Sequence, residues 1–298
     1  MSKSENRYQF DFERDLYDIY KSKLLNTGLE FKDDFAKDTF GLLVQYFNFR
    51  KRVIDQRKRK IHYSSIFNCP YEYEETLEEI EHRLREGKST FRYLSTNIKK
   101  LEYNDLMLND WGIYHFHLGD DALKSDPKFI KRTGPLLYLR IDDSNAYFIN
   151  IMEHKEWENI DILKLLHSNW PESISEFRTD RICDVCGDFS KKGIINLRRK
   201  KGTSLYPMGD GTVYAFVGGG YMSSGHSIEV INLAEYVLEV AGTAEEALIS
   251  NMDQYIEYFE YKTRNENIEL LFKLTIGELG EVKVLECNSR EFIDFGRL

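Results

Sequence analysis

His115 and His117 stand two residues apart in YHFHLG, so on a β-strand both imidazoles leave the same face. His154 follows a second strand-like segment. If the two strands are neighbours, three imidazoles converge at one end of a sheet. Such a cluster supports two distinct chemistries. One is general acid–base catalysis near neutral pH, where histidine has a suitable unperturbed pKa. RNA cleavage has this requirement. One base takes the 2′-hydroxyl proton, one acid protonates the leaving oxygen, and a cation such as Arg140 or Arg132 stabilises charge on the phosphoryl oxygens. No metal or other cofactor is needed. The other chemistry is zinc coordination, in which two histidines on one strand face and a third ligand leave a position open for water, giving a hydrolase of a different class. Against both stands a structural role, with one histidine in a hydrogen-bond network and the others partly exposed, in a module that binds nucleic acid or protein.

The elements that must position these residues are legible from periodicity. Apolar residues recur at helical spacing from Tyr8 to about Leu25 and from about Lys32 to Lys58. After Pro70, YEETLEEIEHRLREG is an amphipathic helix with Gly87 near its C-terminal end. A shorter helix is expected over 93–101. The period then changes to that of strands at 113–118, 136–141 and 146–152, the last two forming an antiparallel hairpin across Asp142, Asp143, Ser144 and Asn145. Helical spacing returns over 157–168 and stops at Pro171. Farther on, a hairpin is expected around MGDGT (208–212), a helix over 227–240, a second helix opened by Thr243 with Glu246 in capping-box spacing, and strands on either side of IGELGE (276–281). The pattern is α+β: N-terminal helices, a small antiparallel sheet core with flanking helices, and a C-terminal α+β domain. The expected boundaries give an N-terminal helical region (1–70), a core (71–178) and a C-terminal domain (179–298).

Within about residues 73–170, the order of paired helices, a strand ending in HFHLG, the strand LLYLRID, a tight turn, the strand AYFINIMEH and a helix resembles the core of the RelE-like toxin ribonucleases. In that family an arginine and a tyrosine on paired strands, with a histidine or other polar residue nearby, cut RNA without a metal. The resemblance implies these roles for Arg140 in LYLRI, Tyr147 in AYFINI and His154 in IMEH. It also implies RNA as a partner and a protein inhibitor of the antitoxin kind, as in a toxin or phage-defence effector. The paired His115 and His117, the flanking regions and the acidic balance depart from that family's small basic toxins.

The formal charge of −9 argues against a protein that coats nucleic acid non-specifically. Two basic runs stand out nonetheless. The first, RKRVIDQRKRK (50–60), offers Arg50, Arg52, Arg57, Lys58, Arg59 and Lys60, with Arg132 farther on, as phosphate contacts on a basic helix. The second holds Lys191, Lys192, Arg198, Arg199, Lys200 and Lys201, and its alternative reading is a charged hairpin. Apolar residues at 42%, aromatics at 14% and only 5 Pro describe chains that pack cores. MSKSENRYQFDFERD has no apolar h-region and no later stretch reaches membrane-spanning length, so the expected location is cytoplasmic and no membrane partner is expected. The four cysteines, Cys69, Cys183, Cys186 and Cys287, are too scattered for a disulfide framework. Cys183 and Cys186 form a lone CxxC with no second pair. GGGYMSSGHS (218–227) lacks the P-loop and dinucleotide patterns and is read as a turn leading into a helix, with His226 able to face a substrate. Trp111, Trp157 and Trp170 are expected to pack the middle region.

Overall fold

The computed structural model describes residues 7–153, 159–182, 185–277 and 280–297. In chain order the elements are β1 (Tyr8–Gln9), α1 (Phe12–Leu25), α2 (Thr39–Arg52), β2 (Lys60–Tyr63), α3 (Glu74–Glu86), α4 (Leu106–Trp111), β3 (Ile113–His117), β4 (Pro135–Ile141) and β5 (Asn145–Glu153). There follow α5 (Asp161–Asn169), α6 (Lys191–Arg199), β6 (Leu205–Pro207), β7 (Val213–Ala215), α7 (Ile228–Ser250), α8 (Met252–Thr263), β8 (Leu270–Ile276), β9 (Glu281–Glu286) and β10 (Glu291–Arg297). Short 3-10 turns occupy 71–73, 91–93, 96–99 and 171–177. The fold is α+β. Among the described residues no helix is long and apolar enough to cross a membrane.

The chain divides into two units, one spanning 48–230 and the other built from residues up to Phe47 together with those from Ile231 onward. This differs from boundaries near 70 and 178. β2, before Pro70, pairs with β5 inside the first of these units, and the β6–β7 hairpin, beyond 178, packs into the same core. The chain passes between the units within α2 and again within α7.

The 48–230 unit is built on a sheet of order β2-β5-β4-β3, antiparallel except for the parallel pairing of β2 with β5. Tight turn chemistry sets the β4–β5 hairpin: the Asp142 carboxylate accepts the backbone N–H of Ser144 at 2.8 Å and of Asn145 at 2.7 Å. A register shift between Tyr138 and Leu139 inserts one extra residue on β5, so both faces remain apolar along strands that are buried on both sides. On one face Trp111, Ile113, Tyr138 and Tyr147 pack against α5, Trp170, Ile174 and the β6–β7 hairpin. On the other, Phe116, Leu137, Leu139 and Phe148 pack against Leu77, Ile80 and Leu84 of α3. α3 closes at Gly87, left-handed at φ 68°, as its sequence predicts, and carries acids in its first turn and arginines in its last.

The second unit carries the sheet β1-β8-β9-β10, of which only β8 and β9 flanking IGELGE were expected. The expected break at Thr243 does not occur: its hydroxyl turns back to the Glu239 carbonyl at 2.9 Å and α7 runs on to Ser250. Three other expectations are corrected. The helix ending near Lys58 stops at Arg52, the helix over 93–101 is two 3-10 turns, and the second basic run is the helix α6 rather than a hairpin.

Candidate functional site

His115 and His117 do leave the same face of β3, opposite Tyr138 and Leu136 of β4. Both are largely buried, His117 at 3% exposure. The His115 ring faces the Asp105 carboxylate at 3.8 Å and borders a cavity of about 30 Å³ with Arg52, Tyr103 and Tyr114, room for one water. The strand that precedes His154 is not β3's neighbour, because β4 stands between them. His154 itself lies outside the described residues, as do Cys183 and Trp157. Among the described residues no group of three histidine, cysteine or acidic side chains is placed to hold a metal ion. Cys186 is exposed, and Trp111 and Trp170 pack the core as expected.

Arg140 and Tyr147 are direct cross-strand partners, and the row continues to His62 on β2, opposite Tyr147. Here the register brings an arginine, a tyrosine and a histidine into one cross-strand row. The His62 and Tyr147 rings stack at 5.1 Å and 21°. Trp170 packs against Tyr147 at 5.1 Å.

Asp142, at the start of the hairpin turn, organises this row. It accepts the Tyr147 hydroxyl at 3.1 Å and the Asn145 amide N–H at 3.2 Å, which points the Asn145 amide oxygen away from it. That oxygen lies 2.9 Å from His62 Nε2 and can only accept. The proton of a neutral His62 is therefore on Nε2, and Nδ1 is the basic nitrogen. Burial pushes the Asp142 carboxyl up, but the N–H groups of Ser144 and Asn145 and the Tyr147 hydroxyl outweigh it and hold it below the ordinary range. Burial, reinforced by the Asp142 charge, pushes the Tyr147 phenol up to about 12, so it keeps its proton at neutral pH.

Arg140 is 8% exposed and makes no ion pair among the described residues. Its guanidinium donates to the carbonyls of Ser173 at 3.0 Å and Val217 at 3.5 Å and lies over the Phe177 ring, while Nε has no partner among the described residues. Burial lowers its pKa, opposed by the charges of Glu176 and Asp142. Gly112, left-handed at φ 67°, makes room: a Cβ there would come within 2.4 Å of the Arg140 guanidinium.

The basic run 50–60 separates into structural and exposed cations. Arg52 is buried, with its guanidinium on the carbonyls of Asn48, Asn97 and Lys100. Arg59 is buried as well, bonded to the Asp142 carbonyl at 2.7 Å and paired with Asp55, so it fixes the hairpin turn. Arg57 pairs with Asp55 and Asp143, and Lys58 lies 3.8 Å from Glu86. Arg50 and Lys60 are exposed, and Lys60 leaves β2 on the same side as His62. Arg132 is exposed and bonded to the Thr96 hydroxyl. The glycine loop 218–227 docks on α4 through Gly218 N–H to Asp110 O and Gly220 N–H to Asn109 O, both at 2.9 Å. A Cβ on Gly218 would collide with Leu108 O, so the loop's glycines serve backbone packing.

The sequence reading missed His62. Its signal was the alternation in Lys60, Ile61, His62 and Tyr63, hidden because the basic run before it continued a helical pattern. No protein-family model, curated protein or solved structure matches this chain.

Proposed function

We propose that the protein is a metal-independent endoribonuclease, of the toxin or phage-defence kind, whose general base is His62 rather than His115 or His117. The observation that carries this reading is the chain of hydrogen bonds from Asp142 through Asn145 to His62, which fixes the tautomer and leaves Nδ1 as the basic nitrogen. In this reading Nδ1 takes the proton of an RNA 2′-hydroxyl, and the oxygen attacks the adjacent phosphorus. Lys60 holds a phosphoryl oxygen, and the buried charge of Arg140 favours the negative charge that develops there. Tyr147 positions the imidazole by stacking beneath it. The proton on the departing 5′-oxygen comes from solvent or from the imidazolium formed in the first step.

The test is cleavage of total RNA by the purified protein, with and without EDTA, beside His62→Ala, Asn145→Ala and a His115→Ala/His117→Ala double variant. Expected is cleavage that survives EDTA, falls at least about 100-fold in His62→Ala and falls less in Asn145→Ala. Loss with EDTA would favour a zinc hydrolase. Loss only in a folded His115/His117 variant would return the base to β3. No cleavage by the native protein would favour a binding module.

A further inference from the structure

The second basic run does what the first does not: it leaves a row of cations facing outward. On α6, Arg198 turns inward to Asp110, while Lys192 and Arg199, with Lys200 just beyond the helix, are exposed and make no ion pair among the described residues. α6 carries no acid. Beside it opens a cleft of about 350 Å³. Its lining is of two kinds. Phe189, Leu197, Ile194 and Tyr206 are buried or half-buried and apolar, and Asn196 and Lys200 are exposed at the rim.

We infer that this cleft, with the α6 cations, binds single-stranded RNA by taking one unpaired base, an inference that rests on the RNA reading above. An aromatic wall and an amide are what a splayed base needs, one to stack on and one to bond its edge. Lys200 and Arg199 then meet the flanking phosphates. Asp188 is also exposed, but it sits against Gly193 in the first turn of α6 and near Lys192, so it disfavours a phosphate at that end and places the backbone toward Arg199 and Lys200 at the other. Duplex RNA fits poorly, because its bases are already stacked and its shallow groove offers 2′-hydroxyls, phosphates and base edges but no free base face.

The probe is a short fluorescent 2′-O-methyl oligoribonucleotide, single-stranded or annealed to its complement, which cannot be cleaved through the 2′-oxygen. Binding is read by anisotropy across a salt series. Phe189→Leu keeps the apolar packing and removes the stacking ring. It should weaken single-strand binding about tenfold with an unchanged salt slope. Arg199→Gln/Lys200→Gln should reduce the slope of log K against log salt by roughly 1.4, the release expected for two phosphate contacts on a single strand. Neither variant affecting binding, or no single-strand binding by the native protein, overturns the inference. So does equal binding of duplex that is indifferent to Phe189→Leu. Because the probe resists cleavage, binding with no catalysis on natural RNA would sink the ribonuclease reading and leave the cleft intact.

Discussion

Arg198 and Arg140 are both buried in the same unit, at 6% and 8% exposure, and their charges are balanced in opposite ways. Arg198 lies over the Trp111 ring at 4.2 Å and donates twice to one oxygen of Asp110, at 3.1 and 3.0 Å, while Tyr206 donates to the same oxygen at 2.7 Å. Among the described residues Arg140 bonds only to neutral carbonyls and lies over an aromatic face, with Glu176 and Asp142 acting on it through space and without an ion pair. A cation neutralised by a buried carboxylate joins α4, α6 and β6 and has little field left for an outside anion. A cation on carbonyls, with no ion pair, keeps more of its field for an outside anion, and Arg140 stands on the same cross-strand row as Tyr147 and His62. The comparison separates an arginine that holds the structure from one that can act on a phosphate.

The largest effect should come from breaking the neutralised pair. Asp110→Ala leaves Arg198 buried without its counter-ion, and leaves the Tyr206 hydroxyl without an acceptor. The expected loss is about 3–5 kcal/mol of unfolding free energy, measured by urea denaturation. A loss below about 1 kcal/mol would mean that the site relaxes or hydrates, and the contrast with Arg140 would fail.

Next comes the space that Arg140 occupies. Gly112→Ala puts a Cβ at φ 67° against the guanidinium and against Val217 O, and should cost about 2–3 kcal/mol. Gly209→Ala, also left-handed at φ 94° but with nothing within 4 Å of a Cβ, should cost about 1 kcal/mol. Equal losses at the two glycines would show that backbone strain alone matters and that Arg140 can move aside.

What the sequence revealed of these arrangements follows physical range. The hairpin of β4 and β5, the helix closing at Gly87 and the same-face pair on β3 depend on neighbours a few residues apart, and all were legible. The burial of Arg52, Arg59 and Arg198 was not, because lysines and arginines in a run look alike until distant carbonyls and Asp110 select among them. His62 was hidden for the same reason. A four-residue strand carries too little periodicity to announce itself, and its pairing with β5 is settled across more than eighty residues of chain, as its bond to Asn145 shows.

A third kind of balance is offered by Glu286, fully buried in the other unit with no cation bonded to it among the described residues. Burial pushes its carboxyl up, but N–H bonds from Ser289 at 2.7 Å, Leu271 at 3.2 Å and Asn288 at 3.3 Å outweigh this and leave it below the ordinary range. A depressed carboxylate contributes stability that is present above the unfolded-state pKa and lost as pH falls through the folded-state value. Glu286→Gln should therefore destabilise by about 1–2 kcal/mol at pH 7 and progressively less below about pH 4, read by thermal melts across pH. A variant deficit that does not shrink with acid would mean that the amides do not favour the charged form.

The smallest effect on stability is expected at Arg140 itself, and it is the sharpest test of the comparison. Arg140→Met keeps most of the side chain's volume and removes a buried charge that has no ion-pair partner among the described residues, only the more distant Glu176 and Asp142. The gain from no longer desolvating a cation opposes the loss of two hydrogen bonds to carbonyls, so the net change should lie within about 1 kcal/mol. Arg198→Met, by contrast, strands Asp110 and should cost about 3 kcal/mol or more. If the charge of Arg140 serves a phosphate, RNA cleavage should fall at least about tenfold in Arg140→Met while its urea midpoint hardly moves. A large loss of stability with unchanged cleavage by the folded fraction would make Arg140 a second Arg198, a pin between β4 and the 171–177 turn, and would leave His62 to work without it.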